Sequence, residues 1–87
     1  MGYRTRELAM EAPMTPRQKD IFLVVDEWWA KFGFGPSVDD IMRITGDRSR
    51  SNVHRMMHKL CEIGVCRMTK GRARSIRPVY LKLRSIE

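Results

Sequence analysis

Residues 36–77 read PSVDDIMRITGDRSRSNVHRMMHKLCEIGVCRMTKGRARSIR, and this stretch decides the architecture. Two short helical patterns meet in it at Thr45-Gly46-Asp47-Arg48-Ser49. Ser37 is a good N-cap for the first, and Asp39 and Asp40 fall in its first turn, where carboxylates favour the positive end of a helix. Ile41, Met42 and Ile44 supply its apolar contacts, and Gly46 permits a left-handed exit. Ser49 caps the second pattern, predicted to run to Ile63 before Gly64 stops it. At about 100° per residue, Val53, Met56, Met57 and Leu60 share one face, with Ile63 at its margin. Ser51, His54, Arg55, His58 and Glu62 share the opposite face.

A hairpin follows at once. Val65 to Thr69 alternates loosely and reads as a strand, Lys70-Gly71-Arg72-Ala73-Arg74 is a tip of small and basic residues, and Ser75-Ile76-Arg77 returns. Pro78 breaks the second strand or sits at its edge. Upstream, Thr15, Pro16 and Gln18 form a capping box with proline at the first helical position. Ile21, Phe22, Val25, Trp28, Trp29 and Phe32 then recur at three- and four-residue steps, an apolar stripe ended by Gly33. Adjacent tryptophans could stack on bases, but at this spacing at least one of them reads as core packing. The sum is an α+β, mainly α, winged helix-turn-helix: three helices plus a C-terminal β-hairpin wing. Such an order places one helix in a DNA major groove and a loop on the flanking backbone.

The 87 residues suffice for one small domain with a modest core. Residues 1–13 read as a flexible N-terminal arm with at most one helical turn, 14–79 as the domain, and 80–87 as a tail that adds a strand or packs on a partner. Net charge is +7, divided unevenly: −2 over residues 1–42 and +9 over residues 43–87. So lopsided a field directs one half of the molecule at a polyanion. No apolar stretch reaches the roughly 20 residues that span a bilayer, and no secretion signal is evident. With only Cys61 and Cys66, free thiols in a reducing compartment are expected, and a cytoplasmic, nucleoid-associated location with them.

Two kinds of chemistry were weighed against this. His54, His58 and Cys61 lie on neighbouring positions of the third helix and Cys66 follows, a spacing that suits zinc. Yet Cys66 stands beyond Gly64 on a strand, and ligand spacing alone is weak evidence, so no metal or cofactor is assigned. No nucleophile stands in a recognisable motif, no Gly-rich phosphate loop precedes a helix, and the chain is short for a substrate cleft, so no enzyme is expected.

From Met14 to about Val79 the chain resembles the DNA-binding domain of the LexA repressor family. The matching residues are Thr15-Pro16-Arg17-Gln18, Pro36-Ser37, Asp40-Ile41, Gly46, Arg48-Ser49, Leu60, Gly64-Val65, Gly71 and Ser75-Ile76-Arg77. The resemblance implies a winged helix-turn-helix that binds two-fold operators as a homodimer and represses transcription. It places Ser49, Ser51, Asn52, His54 and Arg55 in the base-reading segment. His54 and Arg55 stand where acidic residues are typical, and Met56-Met57 replaces a common His-Leu pair, so the operator sequence does not carry over. The family's self-cleaving protease domain has no counterpart in these residues.

The expected function is therefore sequence-specific binding of double-stranded DNA. Arg55 and Asn52 lead the base contacts, since Arg suits guanine and Asn adenine, with Ser49, Ser51 and His54 assisting. Arg48, Arg50, Lys59, Lys70, Arg72 and Arg74 are expected on phosphates. The competing reading is a winged-helix interaction module, an adaptor or anti-regulator binding protein through the first helix or the tail.

Overall fold

Three of the helices begin by one local rule, a hydroxyl that accepts the amide three residues on. In the computed structural model, which describes residues 6–79, Thr15 Oγ1 accepts from the Gln18 N–H (3.1 Å) and Gln18 Oε1 from the Thr15 N–H (2.9 Å). Ser37 and Asp40 repeat the exchange at 3.0 Å in both directions. Ser49 Oγ accepts from the Asn52 N–H at 3.2 Å. Each cap satisfies amides that the first turn leaves without partners. The helices so started are α2 (Pro16–Phe32), α3 (Val38–Thr45) and α4 (Arg50–Ile63), preceded by α1 (Arg6–Met10). Two short strands, β1 (Cys66–Arg67) and β2 (Arg77–Pro78), pair antiparallel with Cys66 opposite Pro78 and Arg67 opposite Arg77.

The core is where these elements meet. Ile21, Phe22 and Val25 of α2, Ile41 of α3, Val53 and Leu60 of α4, and Val65 and Ile76 of the wing are all buried. At about 1.5–3 kcal/mol for each large side chain, this shared cluster is what keeps α3 and α4 in their relative places. No helix among the described residues is long and apolar enough to cross a membrane.

Four expectations need correction. The supposed arm is, from Arg6 onward, a helix whose Ala9 is fully buried and whose Arg6 pairs with the buried Asp26 of α2. Too few apolar residues lie there for a periodic signal. Residues 1–5 of the arm, and the tail at 80–87, lie outside the described residues. Ile44 is 53% exposed rather than an apolar contact, because it stands about 60° around α3 from Ile41, the side that faces the core. The α2 stripe also leaves the core early: Trp28 and Trp29 are only half-buried, and Phe32 is 49% exposed. Trp28, Phe32 and Phe34 instead cluster, with ring centroids 4.7–6.5 Å apart.

Finally, the strands are two residues each, not the longer runs expected from Val65–Thr69 and Ser75–Arg77. The reason is Ser75. Its Oγ accepts from the Thr69 N–H (2.9 Å) and faces the carbonyls of Thr69 (3.1 Å) and Arg72 (2.9 Å), so a side chain takes the bonds a ladder would have used. At the base, the Val79 N–H donates to the Val65 carbonyl at 2.8 Å.

Candidate nucleic-acid interface

The turn between α3 and α4 sets the exposed face of α4. Gly46 takes φ 83°, a left-handed conformation with little penalty only for glycine, and its N–H closes on the Met42 carbonyl. The Thr45 hydroxyl lies 2.8 Å from the Ile41 carbonyl and accepts from the Asp47 N–H at 3.3 Å. Asp47 forms an ion pair with Arg17 of α2, which ties the turn to the body. That bond from Arg17 holds the Asp47 carboxyl below its ordinary pKa despite the opposing effect of desolvation, and the Thr45 hydroxyl and the Arg17 charge assist.

The predicted face division of α4 is what the fold presents. Val53, Met57 and Leu60 are buried, while Ser51, Asn52, His54, Arg55, His58 and Lys59 are exposed. The His54 and His58 rings meet edge-on, centroids 4.6 Å apart. Among the described residues, Arg48 and Arg55 carry no ion pair, so their charges face outward uncommitted. Arg50 is paired with Asp39 and Lys59 approaches Glu62 at 3.5 Å, both on exposed surface where such pairs are weak and a phosphate can displace them. Ser49 is half-buried and spends its oxygen on the helix cap, so it belongs to the helix start rather than to the outer face.

A groove of about 450 Å³ separates α4 from the wing. Met57, Met68 and Ile76 line it alongside Arg50, His54, His58, Lys70 and Arg72. Lys70 and Arg72 are exposed at the wing tip without ion pairs among the described residues. Arg74, expected beside them on phosphates, is exposed but engaged within the fold: its Nη1 lies 2.8 Å from Oδ2 of the buried Asp40. The four residues whose spacing suits zinc do not come together as a cluster. Cys66 turns into the core, where burial pushes its thiol far above the usual range, and no group of three ligating residues forms among the described residues.

Two features of the site escaped the sequence reading. The buried role of Asp40 was signalled by its position three residues after Ser37, the capping-box spacing. The facing of Arg67 and Arg77 across the strands could be read only from the register.

Comparison with known proteins agrees with this geometry. The family described as the LexA DNA binding domain matches residues 11–75. The chain is 30% identical over 68 residues to the LexA repressor of Granulibacter bethesdensis (strain ATCC BAA-1260 / CGDNIH1), covering 78% of this chain and 28% of that protein. It is 31% identical over 68 residues to the LexA repressor of Gluconobacter oxydans (strain 621H), covering 78% and 29%. The chain thus spans less than a third of the length of these curated relatives.

Proposed function

The chain belongs to the LexA DNA-binding-domain family, and on that premise we propose that it binds double-stranded DNA sequence-specifically and represses transcription. In this reading α4 enters the major groove, with Arg55 and Asn52 on base edges and Ser51 and His54 beside them. Arg48, Arg50, Lys59, Lys70 and Arg72 grip phosphates, and the counterions they displace drive affinity. Two copies on a two-fold site would read half-sites about 10 base pairs apart, or a multiple of that spacing.

One observation carries the proposal. The outward face of α4 is a run of exposed donors and acceptors around Arg55, which has no ion pair among the described residues, set across a groove from a cationic wing tip. Among the described residues the side chains of Ser51, Asn52 and Arg55 hold no hydrogen bond or ion pair within the fold, which supports their use on a duplex.

The test is enrichment from a random-sequence duplex library, followed by titration of the enriched and random duplexes at two salt concentrations. The expected result is a repeated half-site and affinity that falls steeply with salt. Arg55→Ala then costs about 1–3 kcal/mol on the enriched duplex and relaxes one base position. Equal losses on both duplexes would remove α4 from base reading. The exposed Phe32 and Phe34 favour the second reading, a protein-interaction module, and that reading requires little binding to either duplex at either salt concentration.

A further inference from the structure

Wing hairpins are attached to their domains at the base, yet this one is also fastened near its tip. Arg74 adopts φ 58°, a left-handed conformation that is disfavoured for a residue with a side chain. Its guanidinium reaches Asp40, 34 residues earlier, and its carbon lies 5.6 Å from the Phe34 ring centroid and 6.0 Å from that of Trp28. The carbonyl of the same residue accepts from the Gly35 N–H at 3.1 Å. Behind that bond the loop and the wing are in backbone contact: a Cβ on Gly35 would stand 2.0 Å from the Ile76 carbonyl oxygen.

Asp40 is built to receive this arm. It is buried, its Oδ2 already accepts from the Ser37 N–H, and its Oδ1 takes Arg43 Nη2 at 2.6 Å. The Ser37 bonds outweigh desolvation, and with the Arg74 charge they hold its carboxyl below the ordinary range. Losing Arg74 leaves this buried carboxylate with Arg43 as its one remaining cation among the described residues, which couples the arm to its receptor.

We propose that Arg74 is a positioning residue that latches the wing to α3 through Asp40 and so sets the gap across which Lys70 and Arg72 face α4. The latch stands on geometry alone; its effect on DNA rests on the function proposed above. It divides the three cations of the wing tip into one that holds and two that reach.

Two readouts test it on the whole chain. In the free protein, Arg74→Ala and Asp40→Asn are each expected to speed exchange of the Gly35 amide tenfold or more, while the Val53 and Leu60 amides keep their protection. Arg74→Lys replaces Arg74→Ala should the latter also strip α4 of protection. On the enriched duplex, Lys70→Ala costs about fivefold in the latched wing, as one lost phosphate contact. In the Arg74→Ala or Asp40→Asn background the same change is expected to cost less than twofold, because an unlatched wing no longer delivers Lys70. Unchanged Gly35 exchange overturns the latch. Faster exchange with fully multiplicative losses for Lys70 and Arg74 overturns its role on DNA and returns Arg74 to the phosphate contacts. Failure of the unsubstituted chain to bind any duplex would sink the proposed function, while the exchange result would still decide the latch.

Discussion

Residues 15–64 and residues 65–79 of this chain are held together in different ways. In the helical part, each start is closed by a partner three positions on, and each helix turns its apolar stripe onto a common core. In the wing, two-residue strands leave the work to side chains: Ser75 bridges the arms, and Arg74 reaches 34 residues back to Asp40. Local rules therefore build the exposed face of α4, and long-range contacts set the position of the wing tip. The two regions should fail separately.

Four substitutions probe that contrast. The largest effect is expected where the regions share a core. Leu60→Ala removes a fully buried side chain and is expected to cost about 2–5 kcal/mol in a denaturant titration. Both regions should lose hydrogen-exchange protection together; survival of either would mean the core is not common. Gly35→Ala comes next, at about 1–3 kcal/mol for forcing a methyl onto backbone. Here protection should vanish in the wing while α4 keeps its own, and equal loss in both would contradict the separation.

Ser49→Ala is its mirror image. Loss of this cap is expected to lower stability by about 1 kcal/mol. The first turn of α4 should fray while the Gly35 amide stays protected. Smallest is Arg77→Gln, which relieves the like charge opposite Arg67 and should stabilise the free protein by about 0.2–1 kcal/mol. A lowered melting temperature would show that Arg77 has a favourable partner.

Acid acts on both regions at once. Asp47 in the turn and Asp40 under the wing both have lowered folded-state pKa values. The stability each contributes is therefore complete above about pH 4 and is lost as pH falls through the ordinary carboxylate range to the lowered values. The gap in melting temperature between the unsubstituted chain and Asp40→Asn should accordingly shrink below pH 4; a gap that widens would reverse the sign of the argument.

The same contrast explains what could be read in advance. Thr15, Ser37 and Ser49 announce helix starts because capping needs only three residues of context, and the two faces of α4 follow from a fixed angle per residue. Periodicity locates a stripe but not its cover, so Phe32 was placed in a core that ends a turn before it. The Ser75 hydroxyl that shortens the strands, and the carboxylate that claims Arg74, act through tertiary contacts that no local pattern encodes. Among the candidate site residues, the exposure of those on α4 was legible for the same reason, whereas the pairing of Arg74 with Asp40 spans 34 residues and leaves no local mark.

Titration of the isotope-labelled chain with an enriched duplex, followed residue by residue through amide chemical shifts, addresses the interface most directly. The largest shifts are expected on residues 48–59 and on the tip at 70–72, with the Phe32–Phe34 surface unmoved. Shifts centred on Phe32–Phe34, with residues 51–55 silent, would contradict it.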